Sequence, residues 1–293
     1  MIRTATPRRF LPRTVFVAVA AALLAACSAG PGASDRASSG PEPVSRARLS
    51  HDLPDDPMRM VLPATGAESR WTQGLDVFVR QVSRATSVSC AQDQGIGLPE
   101  EAPVSFIRFF DVPDLDFIAR HGLSESAQVP AIETGPAATR SGSSAVVRRC
   151  VAEGAAAADA LFAPYAGLQR GWFRELASVG RAPATHRALR TLPGCLARHG
   201  VDARDERGVM AVADARMQTA APADLRRSGR EIGRAYATCL RPVEAVREPA
   251  RLRLRDRFIA EHADEVREVR KTLVPALRRA EKEHGVRLVF PAP

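Results

Sequence analysis

The chain has 293 residues, with 42 Lys and Arg against 33 Asp and Glu and a formal net charge of +9. Its basic residues alternate with acids, as in residues 251–270, which is typical of a solvated helical surface and argues against nucleic-acid binding. Aromatic residues make up only 5% of the chain, so we expect a core of small aliphatic side chains that gains from covalent cross-links.

Residues 1–26 have the pattern of a bacterial lipoprotein signal peptide. Four arginines and no acid precede an apolar run that begins at Val15 and ends in LAAC, residues 24–27. We predict cleavage before Cys27 and attachment of diacylglycerol to its thiol, which places the protein on the extracytoplasmic face of the cell membrane. Cleavage lowers the formal charge from +9 to +5, because four arginines leave with the signal. A plain secretory signal and a transmembrane helix are the alternatives, although the apolar run is short for a span.

Residues 27–57 are predicted to form the lipidated cysteine and a flexible linker. They are rich in Gly, Ser, Pro and Asp and contain few apolar side chains, so they cannot bury enough surface to offset their ordering entropy. We therefore expect a disordered N-terminal tether that leads into a folded domain over residues 58–290.

Hydrophobic spacing in this domain predicts an all-α helical bundle. Apolar residues recur at steps of three and four from Trp71 to Val82, towards Cys90. An ordered segment is predicted over residues 103–122, and a short helix within it is predicted to begin at Asp114. Further helices are predicted at about 144–161, from Pro164 onward, and at about 183–199, 206–218 and 222–240.

The last predicted helix runs from Pro249 to His284 and is the longest. One apolar stripe follows it, and Pro275 is expected to kink it or end it early. Packing inside the domain and docking of a partner helix both fit this stripe. Its members are Leu252, Ile259, His262, Val266, Val269, Leu273, Ala276 and Ala280.

Four cysteines remain after the lipidation site: Cys90, Cys150, Cys195 and Cys239. An even number in an exported chain predicts two disulfides, and four cysteines permit three pairings. The close CxxC-type spacing of a zinc site does not occur in the sequence, so we predict no metal site.

An internal repeat favours one of the three pairings. Cys90 and Cys195 are each followed by four residues, a glycine (Gly95 or Gly200) and a β-branched residue, the pattern of a helix that ends at a left-handed glycine. Each of the other two cysteines lies on a later predicted helix. We therefore expect two related halves, 58–180 and 181–290, that are closed by Cys90–Cys150 and by Cys195–Cys239.

Three segments of the second half resemble a known family. Residues 195–201 (CLARHGV), 209–216 (VMAVADAR) and 257–270 (RFIAEHADEVREVR) are similar to segments of an uncharacterised family of exported lipoproteins from high-GC Gram-positive, actinobacterial-type bacteria. The resemblance implies an N-terminal lipobox and a helical fold, and it implies no activity. Where the family has a cysteine, this chain has Met217, which leaves Cys195 to pair with Cys239 or to stay free.

The candidate ligands for chemistry are few. Asp111, Asp114, Asp116 and His121 form the densest cluster, but they lack the glycine and distal glutamate of a calcium loop. We expect Asp114 to cap a short helix and Asp116 to complement its dipole.

The histidines are predicted to have structural roles. His121, His199 and His284 each precede a glycine, so we expect all three at helix ends, and we expect His262 to be a core residue of the last helix. No sequence pattern places the carboxylate pairs Glu100–Glu101 or Glu261/Glu265 on opposite sides of a cleft, as the acid and the nucleophile of a glycosidase would be. The sequence contains no nucleophile elbow, P-loop or dinucleotide fingerprint, so we predict that the protein is not an enzyme and has no cofactor.

The sequence thus predicts a lipoprotein with a non-enzymatic interaction or structural role in the cell envelope. Its expected partners are membrane lipid, through Cys27, and an envelope protein. A lipoprotein that binds a small molecule or peptide between the halves is the alternative, and an envelope enzyme is a third. A cleft lined by Trp71, Phe78, Trp172 or Phe173 with converging polar groups would indicate binding. A perturbed acid or histidine there would indicate an enzyme, and an exposed apolar patch on the last helix would indicate a protein partner.

Overall fold

A computed structural model of the chain describes residues 47–99, 106, 111–123, 129, 132, 144–221 and 223–292. These residues belong to one compact unit, Pro43–Pro293. The predicted signal peptide, the lipidation site Cys27 and the first part of the predicted linker lie outside the described residues. So does the carboxylate pair Glu100–Glu101.

The described residues confirm the predicted all-α bundle. The one sheet among them has two short antiparallel strands, in which Leu49 pairs with Pro291 and Ser50 with Phe290. No helix in this part of the chain is long and apolar enough to cross a membrane. In chain order the elements are β1 (Leu49–Ser50), α1 (Met58–Val61), α2 (Gly66–Asp93), α3 (Leu115–His121), α4 (Ser144–Gly180), α5 (Pro183–Leu189), α6 (Leu192–Arg198), α7 (Glu206–Thr219), α8 (Leu225–Glu261), α9 (Ala263–His284) and β2 (Phe290–Pro291).

Both predicted disulfides are present. Cys90 bonds to Cys150 with their Cα atoms 5.4 Å apart, and Cys195 bonds to Cys239 with their Cα atoms 5.6 Å apart. The first joins α2 to α4 and the second joins α6 to α8. The sequential pairing that the internal repeat favours is therefore confirmed.

The two repeated helix ends share one backbone geometry. Gly95 and Gly200 have φ values of 65° and 72°, in the left-handed region that glycine adopts without a steric penalty. In each case the amide of the next residue, Ile96 or Val201, donates to a carbonyl five residues earlier at 3.0 Å. The predicted glycine-terminated helix ends are confirmed.

Most buried apolar side chains form two clusters, and α8 contributes to both. The large cluster combines α1, α2, α4, the second half of α8, α9 and the C-terminal segment, and it contains Phe78, Trp172 and Phe258. The small cluster combines α3, α6, α7 and the first half of α8, and it contains Ile118 and Leu196. Each cluster draws side chains from both sides of residue 180.

The ordered fold begins by residue 47 and not at Met58 as the linker prediction has it. Strand β1 pairs with the C-terminal β2, and Trp71 Nε1 donates to the Asp52 carbonyl at 3.1 Å. The Asp56 carboxylate accepts two hydrogen bonds from the Arg270 guanidinium, at 3.1 and 2.7 Å. All these partners lie elsewhere in the sequence, so the local composition could not reveal them.

Prolines do not divide the helices where the sequence predicts. Pro164 lies inside α4 and Pro249 inside α8, so the predicted breaks at these residues are wrong, and α9 also continues past Pro275. All three prolines are exposed, which lets water satisfy the carbonyls that lose a partner. The break falls instead at His262, so the predicted longest helix is in fact the end of α8 followed by the 22-residue α9.

Helices α3 and α8 meet through glycine. A Cβ atom on Gly233 would lie 2.7 Å from the Ile118 carbonyl oxygen and 2.8 Å from the Gly122 Cα atom. By contrast, a Cβ atom on Gly167, inside α4, would have no neighbour within 4 Å. The contact between α3 and α8 therefore depends on the missing side chain at position 233.

We expect Gly233→Ala to lower the free energy of unfolding by about 1–3 kcal/mol, because the backbones must separate to admit the methyl group. Gly167→Ala is the matched control, and it should be stabilising by about 0.5–1 kcal/mol because alanine loses less backbone entropy in a helix. Urea unfolding with both disulfides intact measures the two values. Equal effects of the two substitutions would contradict the close approach.

Candidate functional site

Three arginines spaced by four residues on α8 lie where the two clusters meet: Arg247, Arg251 and Arg255. We call them, with Glu68, Glu206 and Glu244, the arginine network. Its three positive charges face three negative charges, so the network is neutral as a whole. Neutrality matters because an unpaired charge in a protein interior is costly.

Arg251 is the most deeply buried member, with 2% of its surface exposed. Its Nε donates to the Ala64 carbonyl at 2.8 Å, and its Nη2 donates to Glu244. This side chain therefore connects α8 to the turn between α1 and α2.

Arg247 connects α8 to α7. Its Nη2 and Nη1 donate to the two oxygens of Glu206 at 2.7 and 2.9 Å, and Nη1 also reaches Glu244 at 3.3 Å. Burial lowers the pKa of Arg247, but the hydrogen bonds and charges of these carboxylates outweigh it, so the pKa lies above its ordinary value. Arg247 stays charged.

Arg255 completes the network at the start of α2. Its Nη1 donates to Glu68 Oε2 at 2.6 Å. The same oxygen accepts the backbone amide of Ala64 at 2.8 Å and that of Thr65 at 3.2 Å. Glu68 thus closes the capping box that begins α2 and also anchors α8 against this turn.

A cleft of about 340 Å³ opens beside the network, and we call it the junction cleft. Its apolar wall comes from the end of α4 and from α7, and its polar side from α7 and α8. Both predicted halves contribute to it, since α4 precedes residue 180 and the other two helices follow it. The residues used below are Asp111, Phe173, Leu176, Val179, Glu206, Arg207, Met210, Arg247 and Arg251.

A second groove, of about 270 Å³, lies between α2, α4 and α9. Asp93, Glu153 and Glu283 line it, and His284 Nδ1 lies 3.1 Å from Thr86 Oγ1. Its lining contains no large apolar side chain, and we assign no ligand to it.

Only one of the four aromatic residues proposed for a binding cleft lines the junction cleft, and that residue is Phe173. Phe78 and Trp172 are fully buried in the large cluster, where Trp172 Nε1 donates to the Pro63 carbonyl at 2.9 Å. Trp71 is half-buried at the edge of the same cluster. Among the described residues, the exposed large apolar side chains are Val151 and Val246, and neither belongs to α9.

The densest predicted ligand cluster does not converge on one point. Asp114 caps α3 by accepting the Phe117 amide at 3.0 Å, as predicted. Asp116 is exposed and pairs with Arg241 at 2.6 Å, while Asp111 lines the junction cleft.

The histidines lie at helix ends. His121 and His284 are the last residues of α3 and α9, and His199 is the C-cap of α6, as predicted. Burial, Arg120 and Arg230 lower the pKa of His121. The prediction of a core histidine at position 262 is wrong, because the helix breaks there; the His262 side chain is 37% exposed and packs on Phe258.

Cys195, His199 and Cys239 offer atoms within 4.8 Å of one another, a spacing that a metal ion could use. The two sulfur atoms are joined in the second disulfide, however, so neither can act as a thiolate ligand. The sequence did not predict this proximity, because it depends on how α6 packs against α8.

A perturbed acid occurs between α2 and α4, away from the junction cleft. Burial raises the pKa of Asp76 to about 6, although Arg80 opposes this shift. Burial and, as the smaller cause, the charge of Asp76 raise the pKa of Tyr165, whose hydroxyl makes no hydrogen bond within the described part of the chain.

We expect stability to fall as the pH rises through the window from about 4 to about 6, because the folded state holds the Asp76 proton more tightly than the unfolded state does. Asp76→Asn should remove this slope and be more stable than the natural protein at pH 7. Unfolding free energies measured from pH 4 to 7.5 test this, with Asp93→Asn on the same helix as the control for loss of a carboxylate. Parallel pH profiles for the natural protein and Asp76→Asn would contradict the assignment.

Arg251→Met should destabilise the fold by about 3–5 kcal/mol, because it removes the main partner of the buried Glu244. Addition of Glu244→Gln should recover part of this loss, since it also removes the unpaired charge. Arg267→Met breaks an exposed pair with Asp264 and should cost less than about 1 kcal/mol. Urea unfolding of the three variants measures these losses in the free energy of unfolding. Similar losses for Arg251→Met and Arg267→Met would overturn the role of the network.

Comparisons with protein-family models, with curated proteins and with solved structures find no match to this chain.

Proposed function

We propose that the protein is a lipid-anchored lipoprotein on the extracytoplasmic face of the cell membrane, with a non-enzymatic interaction role in the cell envelope. The observation that carries this proposal is that four of the five cysteines are paired in disulfides. All four cysteines that follow Cys27 are joined in two disulfides within the domain, as expected of a protein that folds in an oxidising compartment. Cys27 is then the one cysteine left for a lipid, and it stands at the lipobox position.

The resemblance of residues 195–270 to exported lipoproteins of actinobacterial type supports the same localisation. It adds no activity, so the functional part of the proposal depends on the surface of the domain. The described surface carries few large apolar side chains, which favours a polar or small-molecule partner over a broad apolar protein interface.

The junction cleft favours a second candidate, in which the lipoprotein binds a small molecule or peptide. Phe173, Leu176 and Met210 provide an apolar wall beside the charged groups of α7 and α8. Its volume, about 340 Å³, falls within the range of about 300–1,000 Å³ that is usual for small-molecule sites. Because helices from both predicted halves form the cleft, its shape depends on the arginine network that fixes α8 between them.

Mass spectrometry of the protein from membranes of its own host tests the proposed lipid anchor and localisation. We expect a new N-terminus at Cys27 with the mass of a diacylglycerol and its acyl chains, and non-reducing peptides that join Cys90 to Cys150 and Cys195 to Cys239. Cys27→Ser should lack the diacylglycerol mass, because serine has no thiol to carry the lipid.

The matched control is Cys90→Ser with Cys150→Ser, which removes a disulfide and keeps the lipid site. This variant should keep the diacylglycerol mass even if its stability falls. An unlipidated chain with free thiols would overturn the proposed lipoprotein function.

A further inference from the structure

The arginines on the polar side of the junction cleft leave some hydrogen-bond donors without a partner among the described residues. Arg247 is 9% exposed, and its Nε has no hydrogen-bond partner within the described part of the chain. Its other two guanidinium nitrogens are occupied by Glu206 and Glu244. One buried donor of this side chain is therefore unsatisfied, which is rare in folded proteins. This nitrogen is closed to solvent, so a ligand in the cleft does not reach it.

Two further arginines of the lining add donors. Arg251 uses Nε and Nη2, and its Nη1 makes no hydrogen bond to any described residue. Arg207, on α7, is exposed and makes no ion pair with the residues that the structure describes. An arginine guanidinium can only donate, so each of these groups calls for an acceptor.

The glutamates of the same region are already engaged by arginines. Both oxygens of Glu206 accept hydrogen bonds from Arg247, and both oxygens of Glu244 accept from Arg247 or Arg251. Asp111 is the remaining carboxylate of the lining, and it is exposed. A ligand that supplies acceptor oxygens therefore complements this side of the cleft better than one that supplies donors.

The opposite wall calls for an apolar group. Leu176 and Val179 are buried and belong to the large cluster, while the half-buried Phe173 and Met210 come from α4 and α7. Since the cleft measures about 340 Å³, near the lower end of the usual range, the ligand is small.

We propose that the junction cleft binds a small amphiphile with a carboxylate head, whose head contacts Arg207 and Nη1 of Arg251 and whose apolar body packs on Phe173 and Met210. This inference rests on the binding role suggested above for the cleft. A single negative charge is favoured over a phosphate dianion, because the arginine network is neutral and the other cation of the described lining, Arg207, is opposed by the carboxylate of Asp111.

Octanoate is the probe, and isothermal titration of the mature domain with both disulfides intact is the measurement. We expect octanoate to bind more tightly than octylammonium, 1-octanol and octyl phosphate, which share its chain and differ in the head. Arg207→Gln should weaken octanoate binding about tenfold, the size of one charge-assisted hydrogen bond. Asp111→Asn should strengthen it, because a like charge leaves the lining.

Arg204→Gln is the matched control, since Arg204 is exposed just before α7 and does not line the cleft. It removes the same charge and should leave octanoate affinity unchanged. Met210→Asp should abolish octanoate binding by placing a negative charge in the apolar wall. Thermal unfolding confirms that each variant stays folded, which is expected because none of the substituted side chains is fully buried.

The possible outcomes distinguish the carboxylate assignment from the more general binding role of the cleft. Equal or tighter binding of octylammonium, 1-octanol or octyl phosphate, or equal effects of Arg207→Gln and Arg204→Gln, would overturn the carboxylate assignment and leave a binding role for the cleft intact. No binding of any of the four probes would overturn the carboxylate site and the small-molecule role together, while the lipoprotein address would still stand on its own test.

Discussion

The charge pairing along α8 is the interaction on which the arrangement of the other helices depends. Arg247, Arg251 and Arg255 enter a region with little water, where each cation costs several kcal/mol unless a carboxylate and hydrogen-bond acceptors meet it. Those partners come from α7, from α8 itself and from the turn that begins α2. The network is satisfied only when all of these elements are in place, so it fixes the position of α8 between the large and the small cluster.

The same pairing gives the junction cleft its chemical character. Because Glu206 and Glu244 are engaged by arginines, the cleft presents guanidinium donors beside an apolar wall of Phe173 and Met210. Asp76, a buried acid with a raised pKa, lies instead between α2 and α4. This acid and the cleft that suggests binding are thus found in different places.

Local sequence signals predicted those features whose causes are local. The glycines at positions 95 and 200 end their helices with the predicted left-handed geometry, and Asp114 caps α3, because each needs only residues within one helical turn. The prediction at Pro249 was wrong because a helix can accommodate an exposed proline when water satisfies the carbonyl that loses its partner. Pro249 is exposed and α8 continues through it, and the helix breaks instead at the partly exposed His262.

The sequence by itself determined the helical class and the helix ends at Gly95 and Gly200, and its internal repeat favoured the observed pairing of the cysteines, since periodicity and capping residues are written into short segments. It also contains the lipobox on which the proposed localisation rests. Only the tertiary structure decided that residues 47–57 pack against the C-terminal segment, that Gly233 must admit the end of α3, and that three arginines of α8 meet three distant glutamates. These features depend on contacts between residues far apart in the chain, and the burial that makes each of them matter does not exist before the helices pack.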